Sequence, residues 1–201
     1  MQYCNSAETP GRIVGALRYL CNTRPDLVFS VGLISRVMDR PRVSHLNAAK
    51  RILRYVKGTI GYGILMPINH SENTRNLYGY TDVDWCGDKS DRKSTAGFVF
   101  LIDSAPISWS SKKESVVALS SCEAEYIAAA MGACQAVWLD TLMQELKIKE
   151  EGPVELYVDN KSAIKLAKHP IAHGRSKHIE TKFHFIRDQV AKGKFKLKFC
   201  R

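Results

Sequence analysis

This 201-residue sequence predicts a mixed α/β fold: one five-stranded sheet with helices packed on it, preceded by a small helical segment. Three observations lead there. Short β-rich runs bounded by turn residues recur between positions 77 and 110, as an antiparallel meander requires. A long helix-forming stretch follows at 121–146, and strand-like and helix-like runs then alternate to position 200, as parallel crossovers do. Ahead of these, the apolar residues of 11–57 recur with a helical period.

In the first segment, Ile13, Val14, Leu17 and Leu20 make a helical stripe over 11–22. Thr23 and Pro25 read as an N-cap followed by an early-helix proline, opening a second helix that reaches about Met38 with Val28, Val31, Ile34 and Val37 on one face. Pro41 closes it. A third helix follows Ser44, with Leu46, Ala49, Ile52, Leu53 and Val56 inward, and Lys50, Arg51, Arg54 and Lys57 outward; Gly58 stops it. That basic face is suited to a nucleic-acid backbone, with Lys50 and Arg54 as candidate contacts, and equally to a solvated helix surface.

The polar stretch 67–75 reads as a linker, dividing the chain into 1–66, the linker and 76–201. Beyond it, strands are expected at 77–83, 97–102 and 107–110, with a polar turn at Gly87–Ser94. A long helix over 121–146, a strand over 154–159, helices over 161–168 and 178–192, and a last strand over 195–200 complete the sheet.

Composition narrows the function classes. With 45% hydrophobic and 25% charged residues the chain has the make-up of a folded domain, and no run approaches the roughly 20 apolar residues of a membrane span. Met1–Asn5 shows no charged region leading into an apolar core, so no secretory leader is expected and the compartment is cytoplasmic or nuclear. The six cysteines, at 4, 21, 86, 122, 134 and 200, include no CxxC pair, which argues against a zinc site or a disulfide framework. The net charge of +10 is concentrated early: residues 1–75 carry 11 Lys/Arg against 4 Asp/Glu. Such a balance suits a phosphate-backbone partner and, taken alone, equally a merely soluble basic protein.

Three acids then stand out. Asp82 lies in the first strand, Glu125 in the first turns of the long helix, and Asp159 ends the fourth strand. Clustered carboxylates at the ends of such elements are the oxygen donors a Mg²⁺ site requires. The long helix opens Ser120-Ser121-Cys122-Glu123, a capping box that gives Glu123 a structural task at the cap backbone. Glu125 points about 200° away from it around the helix. Ala124, Ala128, Ala129 and Ala130 let the helix lie close to the sheet. Asp84 shares a strand face with Asp82 and is a neighbour of the site or a cap for the following turn. Asn160 is placed to cap the helix over 161–168. Of the histidines, His178 and His184 are six apart on one helix, too far round to share a metal, while His169 and His173 fall in a polar loop.

The blocks carrying these residues resemble the ribonuclease H domain of copia-type retrotransposon Pol polyproteins. They are Gly79-Tyr80-Thr81-Asp82-Val83-Asp84-Trp85, Asp91-Arg92-Lys93-Ser94-Thr95-Ala96-Gly97, Ile107-Ser108-Trp109-Ser110-Ser111-Lys112-Lys113, Ala118 through Tyr126, Val158-Asp159-Asn160-Lys161-Ser162-Ala163, and Arg175-Ser176-Lys177-His178-Ile179-Glu180 with His184-Phe185-Ile186-Arg187. The first segment resembles the end of the reverse transcriptase of the same polyproteins, through Thr23-Arg24-Pro25-Asp26 and Ala48 to Thr59; the polymerase's Tyr-Val-Asp-Asp block is absent.

The resemblance implies a ribonuclease H-like fold and two-Mg²⁺ hydrolysis of the RNA strand of an RNA–DNA hybrid, with Mn²⁺ as a possible substitute. Asp82 would bridge the ions, and Glu125 and Asp159 would each hold one. Asn160 and the backbone near Glu125 are candidates to touch the 2′-hydroxyl, and Lys112 and Lys113 are suited to phosphates of the DNA strand and equally to a solvated loop. The family's fourth acid normally lies beyond the last strand, past the point where Phe199-Cys200-Arg201 ends this sequence; Glu180 is not a replacement for it. The alternative expectation is therefore a weak or inert nucleic-acid-binding remnant.

Overall fold

The computed structural model describes residues 8–67, 75–148, 152–168 and 180–200, and the chain divides into two compact units, Met1–Leu65 and Met66–Arg201. The first unit contains α1 (Glu8–Leu20), a short 3-10 turn at Pro25–Leu27, α2 (Val28–Ser35) and α3 (Val43–Gly58). Val14, Leu17, Leu27, Val31, Ile34, Ala49 and Ile52 bury its core.

Local bonding moves two of the expected boundaries, and helix geometry turns one expected core residue outward. Thr23 is no N-cap: its hydroxyl donates to the Leu20 carbonyl at 3.2 Å, which ends α1 instead of starting α2. The neighbouring Arg24 guanidinium holds both oxygens of Asp26, at 2.9 and 2.7 Å, and reaches Thr59 beyond α3. Helix α2 stops at Ser35 and not Met38, because the N–H groups of Arg36, Val37 and Met38 turn to carbonyls three residues back, a tighter winding that seldom propagates. Leu53, expected inward, is 41% exposed, since it stands 100° round from the buried Ile52.

The second unit is the mixed sheet. Its strands β1 (Leu77–Asp84), β2 (Thr95–Ile102), β3 (Ala105–Lys113), β4 (Val154–Val158) and β5 (Phe195–Phe199) lie in the order β3-β2-β1-β4-β5. β1, β2 and β3 form the expected antiparallel meander; β4 pairs parallel to β1, and β5 parallel to β4. Helix α4 (Ser121–Glu145) carries the chain from the outer strand β3 across the sheet to β4, and α5 (Lys161–Lys168) and α6 (Glu180–Ala191) link β4 to β5. One core joins sheet and helices: Leu77, Phe100, Leu156, Val158 and Leu197 face Ala124, Ile127, Ala133, Ala136 and Met143. On the strands Tyr80 and Tyr157 stack across the β1–β4 pair, ring centroids 4.9 Å apart.

Small residues set how near α4 comes to β1. A Cβ added at Gly132 would lie 2.5 Å from Thr81 Cγ2, so only glycine fits without a shift. Overpacking of that kind costs about 1–3 kcal/mol, more than the roughly 1 kcal/mol an alanine gains over glycine in a helix. Gly132→Ala is thus expected to lower stability by about 1–2 kcal/mol in urea unfolding; an unchanged or higher midpoint would show that the helix can slide away from Thr81.

The elements of the second unit match the expected ones in type and order. Residues 68–74, which make up most of the expected linker, lie outside the described residues, as do His169, His173, His178 and the side chain of His184. No described helix is long and apolar enough to cross a membrane.

Candidate metal centre

Parallel pairing of β1 and β4 decides where the acids meet. The register sets Thr81 beside Val158, so the next residues, Asp82 and Asp159, emerge together at the carboxyl ends of adjacent strands. Ligand sites in α/β sheets favour that edge. Glu125 enters from the first turns of α4. One carboxylate oxygen from each of Asp82, Glu125 and Asp159 lies within 4.8 Å of the other two.

The three are not equivalent. Asp82 and Asp159 are exposed, whereas Glu125 is 5% exposed and its Oε2 is buried with no hydrogen-bond partner. Burial, followed by a hydrogen bond shared with Asp159 and then the nearby charges of Asp159, Asp82 and Glu114, pushes the Glu125 carboxyl from its ordinary 4.5 up to about 8. Asp82 Oδ1 accepts the Val83 N–H at 2.8 Å. A buried glutamate beside two exposed aspartates, with no sulfur or nitrogen in the set, suits a hard divalent cation of the Mg²⁺ or Mn²⁺ class.

The surrounding residues hold this arrangement. Ser120 caps α4 by accepting the Glu123 N–H at 3.2 Å. Glu123 reaches back one residue beyond the expected cap, taking the Leu119 N–H at 2.9 Å, and so stays out of the cluster. Asp84 also stays out, because its carboxylate accepts the Thr95 N–H and braces the β1–β2 turn. Asn160 caps α5, its Oδ1 accepting from Ser162 at 2.9 Å and Ala163 at 3.1 Å, and it stands directly after Asp159.

The basic candidates fall in different surroundings. Lys113 is held by Asp88 at 2.5 Å and Asp91 at 2.9 Å, contacts that keep both carboxyls below their usual range and pin the 85–94 turn. Its ammonium is therefore engaged within the protein. Lys112 is exposed. Lys50 and Arg54 are exposed one turn apart on α3 of the first unit.

Two participants escape a local reading of the sequence. Glu114, buried just past β3, adds its charge to the environment of Glu125; an acid closing a strand gives no hint of that. Trp85 follows β1 directly, is half exposed, and donates its indole N–H to the Ala118 carbonyl at 3.2 Å. Its place three residues after Asp82 was the available signal.

No protein-family model matches the chain. Retrovirus-related Pol polyproteins of plant transposons match most of it. The polyprotein of transposon RE1 from Arabidopsis thaliana is 45% identical over 181 residues, 90% of this chain and 12% of that protein. That of transposon TNT 1-94 from Nicotiana tabacum is 42% identical over 192 residues, 92% of this chain and 14% of that one. The chain thus spans about an eighth of the length of these relatives. A shorter relative, the secreted RxLR effector protein 161 of Plasmopara viticola, is 42% identical over 135 residues, 67% of this chain and 93% of that protein. Among solved structures, a foamy viral protease–reverse transcriptase in complex with double-stranded DNA covers 96% of this chain, with a TM-score of 0.55 and 11% identity. That likeness concerns the fold, which is the ribonuclease H-like one expected from the sequence.

Proposed function

Because the chain belongs to the family of retrovirus-related Pol polyproteins of transposons, we propose that its second unit is a ribonuclease H domain that hydrolyses the RNA strand of RNA–DNA hybrids with Mg²⁺. One observation carries the reading: Asp82, Glu125 and Asp159 present carboxylate oxygens within 4.8 Å of one another at the carboxyl edge of two parallel strands. In the same reading the first unit is the end of a reverse transcriptase, with Lys50 and Arg54 on the nucleic-acid backbone.

Asp82, Glu125 and Asp159 would hold the cations. When bound, such ions lower the pKa of the attacking water and stabilise the leaving 3′ oxygen. The protein's own part begins with a proton. Glu125 carries one up to about pH 8, and that proton must leave its carboxyl before the residue can act as a ligand. Glu125, in the first turns of α4, is buried and presents its carboxyl from within the protein. Asp82 and Asp159, both exposed, face the side from which a strand would arrive. Selection of RNA over DNA would rest on the 2′-hydroxyl in the wide minor groove, with Asn160 and the backbone near Glu125 beside it.

The test is release of fragments from a hybrid labelled on its RNA strand, with Mg²⁺ titrated, Mn²⁺ compared and EDTA as control. Metal-dependent cutting of the RNA strand, and not of the same sequence in duplex DNA, is the expected result. Failure to cut with either metal sinks the proposal.

A further inference from the structure

An apolar lip lies beside the acids. Trp85 is 50% exposed, and Val117 and Leu119, on the loop that leads into α4, are 41% and 66% exposed. The Trp85 indole N–H on the Ala118 carbonyl ties the two loops together. Their other ends are tied by the carboxylates. From Asp82 to Trp85 is three residues, at most about 10 Å of chain. From Ala118 the loop runs to the cap at Ser120, and from Ser121 to Glu125 is just over one turn of helix, about 6 Å. The hydrogen bond and the cluster at 82, 125 and 159 therefore close a ring, and the indole sits on its rim. With strand nucleotides about 3.4 Å apart along a duplex axis, the reach of about 10 Å from Asp82 to Trp85 spans at most about three nucleotides.

The turn that presents the indole is braced throughout. Asp84 accepts the Thr95 N–H, the Cys86 N–H meets Ser94 Oγ at 3.1 Å, and the Arg92 N–H meets the Asp88 carbonyl at 2.8 Å. Lys113 clamps Asp88 and Asp91. Cys86 and Arg92 hold positive φ of 56° and 58°, conformations unfavourable for side-chain-bearing residues that persist only where their surroundings enforce them. A ring held this way loses little freedom when something packs on it. Its single donor is already used, so the outward face offers apolar and π surface with no hydrogen bond left to satisfy. Such a face suits a sugar or a base and offers nothing to the oxygens of a phosphate.

We propose that Trp85 is a positioning residue: its exposed indole face packs against a nucleotide of the bound strand, on the sugar or base beside the phosphate that approaches Asp82, Glu125 and Asp159. This rests on the nuclease reading above. The acids repel a phosphate chain until cations are bound, and an uncharged face within about three nucleotides of them holds the strand without adding to that repulsion.

The test uses the full chain carrying Asp82→Asn, in which turnover is removed, and a fluorescent RNA–DNA hybrid as probe. Adding Trp85→Ala is expected to weaken binding about 10- to 100-fold, the scale of losing one aromatic stacking contact. Trp85→Phe, which keeps a ring and loses the N–H, should recover most of the affinity. In the otherwise unaltered protein Trp85→Ala should raise KM far more than it lowers kcat. Equal binding with and without Trp85, a Phe variant as weak as the Ala variant, or no hybrid binding at all would each overturn the proposal. Cleavage with a KM indifferent to Trp85 would sink this inference alone. Binding that depends on Trp85 without any cleavage would sink the nuclease reading and leave the indole contact in place.

Discussion

Asp82→Asn is expected to reduce metal-dependent cleavage of an RNA–DNA hybrid by at least about 100-fold while leaving the fold intact. Loss of groups that merely support a metal ligand costs about 10–100-fold, so removal of a proposed ligand sets that range as the floor. The amide matches the carboxylate in shape and Asp82 is exposed, so no cavity or buried orphan is created. The Val83 N–H still finds an acceptor in the Asn side-chain oxygen. Removing the charge also takes away one of the repulsions that raise Glu125, whose carboxyl should then titrate lower. Circular dichroism, melting temperature and fragment release measured together separate the cases. Fragment release at the unaltered protein's rate would remove Asp82 from the site.

Glu125→Gln is expected to stabilise the metal-free protein, and to do so only as the pH rises. The Glu125 carboxyl is raised from 4.5 to about 8 in the folded chain. An acid raised by folding contributes fully below its unfolded value, and that contribution is lost as pH climbs to its folded value. The loss thus runs from about pH 4.5 to about pH 8. A shift of that size corresponds to about 3–5 kcal/mol at its full extent, the lower figure allowing for screening of the two exposed neighbours. Glutamine does not titrate, and its amide can donate to Asp159.

The variant should therefore melt close to the unaltered protein near pH 4.5 and well above it at pH 8, both in EDTA. Millimolar Mg²⁺ should narrow the gap at pH 8 by stabilising the unaltered protein, since a bound ligand adds stability in proportion to the logarithm of its concentration over Kd. Two melting curves that move in parallel across this pH range would show that Glu125 is not held in its neutral form.

The two predictions rest on different kinds of information. Asp82 was identifiable from a short β-rich run with an acid near its end, and Asn160 from a polar residue before an apolar helical stripe. Both are local signals, set by side-chain period and capping chemistry within a few residues. The protonation of Glu125 was not readable in that way, because it arises from burial and from Asp159, Asp82 and Glu114, on three other parts of the chain. Glu123 shows a middle case: its spacing from Ser120 announced a capping task, but the N–H it takes is that of Leu119. Lys113 shows the opposite one, a basic side chain whose sequence neighbours suggested phosphate, held by two aspartates across the β1–β2 turn. In the first unit Leu53 followed the apolar composition inward and the helical angle outward, and the angle prevailed.

By itself the sequence determined the kind, order and approximate length of the elements in the sheet unit, and put an acid at the end of two strands and the start of one helix. Those properties follow from periodicity, propensity and capping, which act over one or two turns of chain. Only the tertiary structure decided that β4 takes its place beside β1, and in which register, bringing oxygens of the three carboxylates within 4.8 Å. It also decided that Glu125 is buried, that Lys113 is engaged, and that Trp85 is fastened to the loop before α4. Strand partners, burial and the field at a carboxyl are set by residues far apart in the chain, and only packing brings them together.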